Sequence, residues 1–263
     1  LLASHGGSVA LIEDAQHCID SPSRTIRGEE GGCIIFTSGS TGKPKGVVQP
    51  ERNLLQLVVR YTKSLCLVPD DHISFLSSPS VTASIAPLFS SLLTGATLFP
   101  FAVKKHGLSE LADWLDVNAI SVYHSVPSLF RHLLQSLAPG RILSSIDVVR
   151  LGGDSVYKTD VDLFLQHLPA STMLVNSYGC SEMSTVCCYY FNAGSELDNE
   201  VVPIGFALDG VEISLSAQEG VTPDKASKNL SPDSADFGEI VIKSRFLALK
   251  YLDGSELRRC EDS

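Results

Sequence analysis

Short apolar runs alternate along this chain with stretches whose apolar residues recur at helical spacing, which is the pattern of an α/β protein. Val9-Ala-Leu-Ile12 and Cys33-Ile-Ile-Phe36 are continuous apolar runs of the kind that strands buried on both faces display. Val47-Val48 predicts a short strand. A helix is expected from Asn53, with Gln56 as its capping-box partner and Leu54, Leu57, Val58 and Tyr61 on one face. Further on, Asp71–Leu76 predicts a strand, Ile85–Leu93 a helix closed by Gly95, and Ala96–Phe99 another strand. Leu108–Asn118 brings Leu108, Leu111, Ala112 and Leu115 to one face of a helix packed on a sheet. Ile120–His124 and Asp147–Leu151 predict strands on either side of a helix over Pro127–Leu137.

Beyond Val201 the texture changes. Val211-Glu-Ile-Ser-Leu215 alternates as a half-exposed strand should, Ser216–Asp236 is a polar stretch expected to be a surface loop, and Glu239–Lys243 predicts one more strand. The expected organisation is an α/β core over residues 1–200, followed by part of a small antiparallel β subdomain over 201–263. No internal repeat or coiled-coil heptad interrupts it.

Composition narrows the function. The chain has 263 residues, 44% of them hydrophobic, with 13 Pro and 20 Gly, an ordinary globular balance. No apolar run approaches the roughly 18 residues that cross a bilayer, so a soluble, cytoplasmic protein with no membrane partner is expected. The start, Leu1-Leu-Ala-Ser-His5, has neither an initiator Met nor a signal-peptide pattern, and a piece of a longer chain is expected. A net charge of −10 argues against a nucleic-acid partner. It leaves nucleotide binding open, because backbone N–H groups and a lysine or two hold a phosphate locally. The seven cysteines (18, 33, 66, 180, 187, 188 and 260) form no C-x-x-C pair, which fits buried free thiols in a reducing compartment rather than a disulfide framework or a zinc site.

The chemistry concentrates at Thr37-Ser-Gly-Ser-Thr-Gly-Lys-Pro-Lys-Gly46, directly after an apolar strand. Its glycines let backbone N–H groups approach a polyanion, its hydroxyls donate, and Lys43 and Lys45 add charge, a composition suited to the phosphates of ATP. It is not a Walker A loop, which needs Ser or Thr after Gly-Lys where this chain has Pro44, and G-x-G-x-x-G does not occur. A plain Gly/Ser surface turn does not account for two lysines flanking a proline after a buried strand. Nor is Gly179-Cys-Ser181 a nucleophile elbow, since Met183 replaces the final glycine of G-x-S-x-G.

Phe36–Gly46 resembles, almost letter for letter, the phosphate loop of the adenylate-forming superfamily: acyl-CoA synthetases, firefly luciferase and the adenylation domains of nonribosomal peptide synthetases. Leu151-Gly-Gly-Asp154 resembles that family's Gly-Gly-Glu turn, and Asn176-Ser-Tyr-Gly-Cys-Ser-Glu182 resembles its Asn-x-Tyr-Gly-Pro-Thr-Glu segment. Gly238–Ile242 with Leu247–Leu252 resembles its Gly-Glu-Leu…Leu-Ala-x-Gly-Tyr-Leu segment, with Lys250 where Gly is usual. The resemblance covers nearly the whole chain and is closest to the peptide-synthetase branch. It implies the layered sheets and packed helices of that family's large N-terminal domain, without the mobile C-terminal lid domain.

The resemblance also implies roles. Thr37, Ser38, Gly39, Ser40, Thr41, Gly42 and Lys43 would hold ATP phosphates, with Lys45, Ser181 and Glu182 in the catalytic group. Ser181 would donate to the α-phosphate and Glu182 would hold Mg²⁺. Tyr178 would stack on adenine, Asn176 would bond its exocyclic amine, Gly152 and Gly153 would let backbone lie against adenine and acid, and Gly179 belongs to the ATP-binding set. The acid pocket would comprise Thr82, Ala83, Ala86, His124, Arg150, Ser177, Thr185 and Val186. Thr82 stands where amino-acid-activating members carry the Asp that meets an α-ammonium, which points towards a hydroxy, keto, aryl or fatty acid. Arg150 lies on the opposite strand face from Val149 and Leu151, either in a structural salt bridge or facing an anionic substrate group. His124 is read as a satisfied core residue with specificity as the sharper alternative.

The implied reaction joins a small carboxylic acid and ATP into an acyl-adenylate with release of pyrophosphate. The acyl group would then pass to the phosphopantetheine thiol of a carrier-protein domain. A stand-alone acyl- or aryl-CoA ligase is the near alternative, and a degenerate nucleotide-binding module that has lost the chemistry is the distant one. The family's ribose-binding Thr-Gly-Asp motif and its C-terminal catalytic lysine do not occur in this sequence, and poor turnover by these residues alone is expected.

Overall fold

A computed structural model describes residues 31–38, 44–216, 238–253 and 256–259. The expected strand at Val9–Ile12, the middle of the glycine loop (Gly39, Ser40, Thr41, Gly42 and Lys43), the side chain of Ser38, Cys18, Cys260 and nearly all of the polar stretch after Ser216 lie outside it.

The first strands form a hairpin: β1 (Gly31–Ser38) pairs antiparallel with β2 (Pro44–Pro50), the last pair being Ser38 with Pro44. The glycine loop therefore connects two strands, whereas a P-loop runs from a strand into a helix. Helix α1 (Glu51–Leu65) follows at once, with Pro50 as N-cap. The expected capping box at Asn53 and Gln56 does not form, because Pro50 starts the helix three residues earlier and leaves Asn53 inside its first turn. The Asn53 amide is used elsewhere, donating to Gln49 Oε1 at 2.8 Å and to the Leu247 carbonyl at 2.9 Å.

The central sheet grows by β-α-β crossovers: β3 (His72–Phe75), α2 (Ile85–Thr94), β4 (Thr97–Pro100), α3 (Val103–Val117), β5 (Val122–Ser125), α4 (Pro127–Gln135), β6 (Val148–Gly152), α5 (Lys158–His167) and β7 (Met173–Cys180). Strands β8 (Ser184–Phe191) and β9 (Phe206–Ala207) complete it in the order β4-β3-β5-β6-β7-β8-β9. Neighbours from β4 to β7 are parallel, and β8 and β9 are added antiparallel. The fold is thus α/β with a mixed sheet. Helices α1 and α2 follow the expected patterns, α2 closing on Gly95 in the left-handed region. Helix α3 begins five residues before the expected Leu108, with a break at Gly107.

Strand alternation sends residues to two cores. Val149, Leu151 and Leu174 meet α3, α4 and α5 on one face, while Val148, Val175 and Cys188 meet α1 and α2 on the other. Helix α5, which the sequence pattern did not single out, carries Val161 and Phe164 into the first core. Of the described cysteines all are free, but Cys187 and Cys188 alone are buried. Cys66 is exposed because it caps α1 in the left-handed region.

The strands after Val201 join three different sheets. β9 extends the central sheet, β10 (Glu212–Ser216) pairs with β11 (Glu239–Lys243) as a ribbon, and β12 (Lys250–Asp253) pairs with β2. β13 (Glu256–Arg259) extends that hairpin sheet to the order β1-β2-β12-β13. In β10 the expected buried face is absent: Ile213 and Leu215 are exposed like their polar neighbours.

Candidate functional site

Two adjoining cavities open at the carboxyl ends of β5, β6 and β7, where open α/β sheets bind ligands. The first has a volume of about 230 Å³. Thr82, Ala83 and Ala86 reach it from the short 3₁₀ turn Thr82–Ser84 and the start of α2, with His124, Arg150 and Thr185 from β5, β6 and β8. The second, of about 300 Å³, is lined by Asp154, Val156, Asn176 and Val202 among others. Gly153, Ser177, Tyr178 and Gly179 line both, so the two spaces meet along one edge of β7.

That edge is held open by glycine. Gly153 has φ 88°, a left-handed conformation that leaves the turn after β6 between the cavities. A Cβ on Gly179 would lie 1.9 Å from the Ser184 carbonyl oxygen, so only glycine lets β7 and β8 close this tightly. The same closure produces a bulge: Tyr178 pairs with Cys187 and Gly179 with Thr185, leaving Val186 as the extra residue. Val186 is fully buried in a cluster with Met183, Cys187 and Val211 and does not line the first cavity, where the sequence had expected it.

Ser181, at the rim of the first cavity, shares a hydroxyl–hydroxyl hydrogen bond of 2.9 Å with Thr82. Its carbonyl accepts from the Gln49 amide at 2.6 Å, which ties strand β2, and hence one end of the glycine-loop hairpin, to the rim. The next residue, Glu182, accepts from the Tyr251 hydroxyl at 3.0 Å, and its carbonyl accepts from Ala248 N at 2.7 Å. Lys45 stands on β2 with Nζ 6.0 Å from the Tyr251 ring, and Thr37 opposite it donates weakly to the Lys45 carbonyl at 3.5 Å. Gln49, Asn53, Ala248 and Tyr251 thus join three distant segments. Residue-type reasoning missed Gln49 and Asn53, for which a buried polar side chain is the only signal.

No metal cage surrounds Glu182: among the described residues no group of three or more His, Cys, Asp or Glu side chains could hold an ion. A lone carboxylate does fit Mg²⁺, which keeps several waters and takes phosphate oxygens with only one or two protein carboxylates.

Asn176 is buried and donates its amide N–H groups to the carbonyls of Pro203 at 2.9 Å and Val202 at 3.4 Å. Its side-chain oxygen is left as the acceptor beside the second cavity. Ser177 is used structurally, its hydroxyl donating to the Leu151 carbonyl at 2.8 Å. At the inner wall of the first cavity, His124 Nδ1 lies 3.2 Å from the Tyr61 hydroxyl. Burial and then the nearby Arg150 charge push its pKa down to about 3, so the imidazole is neutral at pH 7. Arg150 donates to Thr185 Oγ1 at 2.7 Å and to Ser64 Oγ at 3.4 Å, and its guanidinium lies 4.8 Å from the centre of the Tyr61 ring. The salt bridge considered from sequence is absent: no carboxylate of the described residues pairs with Arg150.

With this geometry in view, comparison with known proteins is specific. The profile of the family described as AMP-binding enzyme matches residues 7–252. Among similar proteins are the nonribosomal peptide synthetase fmqA of Aspergillus fumigatus, 32% identical over 93% of this chain and 6% of that protein, and bacitracin synthase 3 of Bacillus licheniformis, 32% identical over 85% and 3%. The chain therefore spans only a small part of the length of these relatives. Among solved structures, the Klebsiella oxytoca NpsA N-terminal subdomain in complex with 3-hydroxyanthranilyl-AMSN superposes with a TM-score of 0.71 at 25% identity, covering 91% of this chain and 59% of that one. The Vibrio cholerae adenylation domain AlmE, in complex with glycyl-adenosine-5'-phosphate, gives 0.68 at 26% identity over 86% and 41%.

Proposed function

The chain belongs to the AMP-binding enzyme family, and from that premise we propose that it forms the ATP- and acid-binding part of an adenylation domain. The reaction is attack of a carboxylate oxygen on the α-phosphorus of ATP. The bond from that phosphorus to the bridging oxygen of the β-phosphate breaks, leaving an acyl-adenylate and pyrophosphate. Such chemistry asks the protein mainly for positioning and for neutralisation of charge on the phosphate oxygens.

The observation that supports this most directly is the tether of the glycine-loop hairpin to the cavity rim through Gln49 and the Ser181 carbonyl. In this reading Thr37, Lys45 and the loop residues 38–43 hold the leaving phosphates. The second cavity takes adenine, stacked on Tyr178, with its exocyclic amine donating to the Asn176 side-chain oxygen, the one part of that amide not spent on Val202 and Pro203. The first cavity takes the acid, whose carboxylate meets the α-phosphate beside Ser181 and Thr82. That hydroxyl pair can turn both O–H groups towards phosphate oxygens by giving up its mutual bond. Glu182, oriented by Tyr251, would hold Mg²⁺. When bound, the ion supplies positive charge to phosphate oxygens.

The acceptor that best suits the relatives is a carrier-protein thiol. The fmqA relative is a nonribosomal peptide synthetase, and an artificially fused adenylation–PCP protein, NpsA-ThdA, superposes with a TM-score of 0.70 at 25% identity. Pyrophosphate exchange by the full-length protein across amino, hydroxy, keto, aryl and fatty acids tests the proposal. Exchange with at least one acid is expected. Its absence with every acid, in a folded sample that binds ATP, would overturn it.

A further inference from the structure

A guanidinium is the most persistent positive charge a protein carries, and in a low-dielectric interior it is normally matched by a carboxylate. Partly exposed Arg131 pairs with Asp160 and Arg141 with Asp113 and Asp116, while buried Arg60 donates to the Asp209 and Thr185 backbone carbonyls and has the Asp209 charge nearby. Arg150 departs from this pattern. Its residue is 4% exposed, yet it bonds only the neutral Ser64 and Thr185 hydroxyls, and its Nε has no partner.

The described surroundings of Arg150 add no negative charge. Among the described residues lining the first cavity none is Asp or Glu, and Arg150 is the only Lys or Arg. His124 beside it is held neutral. Leu57, Ala83 and Ala86 give the same cavity apolar walls, while Ser181 and Thr82 bring hydroxyls to it and Gly153 lies where it meets the second cavity. The space therefore offers hydroxyls at one part, an apolar stretch, and one uncompensated cation. An α-ammonium has nothing to pair with there and would be repelled by Arg150.

We propose that the acid activated at this site carries a second carboxylate and no α-ammonium. One carboxylate is presented at the Ser181 rim, and the other is held by Arg150 as the missing counter-charge, with a short apolar linker against Leu57 and Ala86. The guanidinium has N–H donors beyond the two it uses, and a carboxylate matches its fork geometry. This inference rests on the first cavity being the acid pocket of an adenylation domain.

The test is pyrophosphate exchange by the full-length protein with glutarate and adipate, their monomethyl esters, pentanoate and hexanoate, anthranilate, and glutamate. A dicarboxylate is expected to exceed its own monomethyl ester by roughly a hundredfold or more in kcat/KM, because the ester leaves the buried cation unpaired. Arg150→Met should collapse that ratio towards one, and Arg150→Lys should keep part of it. If pentanoate, anthranilate or glutamate is preferred and Arg150→Met leaves the order unchanged, the dicarboxylate proposal is overturned while adenylation stands. If no acid supports exchange in folded, ATP-binding protein, the adenylation reading falls and this proposal with it. Circular dichroism checks that Arg150→Met folds. Should it not, the ester ratio in Arg150→Lys and Arg150→Gln decides, and an unchanged ratio in both overturns the proposal.

Discussion

The two faces of the central sheet solve opposite problems with the same strands. Towards α3, α4 and α5 the sheet presents Tyr123, Val149, Leu151 and Leu174 to a large apolar cluster. The buried carboxylate on that side, Asp160, accepts two bonds from Arg131 at 2.6 and 2.8 Å and one from Tyr157 N at 2.9 Å. Towards α1 and α2 the same strands present His124, Arg150 and Thr185, the apolar cluster is smaller, and a cavity remains. Each face also holds an arginine over a tyrosine, Arg131 on Tyr157 at 5.6 Å and Arg150 on Tyr61 at 4.8 Å, but only the first has a carboxylate. One face pairs its buried charge within the described residues and the other does not. A charge left unmatched inside a fold, beside a cavity, marks the side where a ligand belongs.

This contrast predicts a graded set of effects. The largest belongs to the face towards α3, α4 and α5: Phe164→Ala removes a fully buried ring and should cost about 3–5 kcal/mol, read as a lower urea midpoint. Preserved stability would mean that this core does not hold the sheet. Asp160→Ala should cost roughly 2–3 kcal/mol, since it removes charge-assisted bonds and the N-terminal support of α5 while leaving half-exposed Arg131 to water.

The face towards α1 and α2 should respond to pH. The His124 pKa falls from 6.5 in the unfolded chain to about 3 in the fold, so below pH 6.5 the unfolded state binds the extra proton. Stability should then decline by up to about 1.4 kcal/mol per pH unit as pH falls from 6.5 towards 3, and His124→Gln should remove that part of the slope. An identical pH profile in the variant would show that His124 is not held neutral. The smallest effect on stability is expected from Arg150→Met. Removing an unmatched buried cation should shift the unfolding free energy by no more than about 1 kcal/mol in either direction, because lost desolvation cost offsets the lost bonds to Ser64 and Thr185. A loss as large as that of Asp160→Ala would make Arg150 a structural residue and erase the contrast.

Much of the fold can be read directly from local pattern. The spacing of Leu57, Val58 and Tyr61, and of Leu111, Ala112 and Leu115, identifies helix faces that the structure buries. The opposition of Arg150 to Val149 and Leu151 follows from strand alternation alone. Helix α5 was legible in principle from Val161, Phe164 and Leu168, but its polar Lys158-Thr-Asp160 opening masks the period. The failures share a cause. Asn53 looked like a cap because its type and spacing fit one, yet Pro50 starts the helix and Leu247, far along the chain, claims its amide. Val186 looked like a wall residue until the bulge opposite Gly179 put it in another cluster.

The sequence by itself determined the family, because the phosphate-loop letters, the Gly-Gly turn and the Asn-x-Tyr-Gly segment are contiguous stretches whose pattern is carried by residue type and short spacing. It also determined the α/β alternation, since helix and strand periods are local properties. Only the tertiary structure decided which polar groups are satisfied. Gln49 finds the Ser181 carbonyl, Tyr251 finds Glu182, and Arg150 finds Thr185 but no carboxylate among the described residues, through contacts between residues far apart in the chain. Burial and long-range pairing set the free energy of a charge, and neither can be read from its neighbours in sequence.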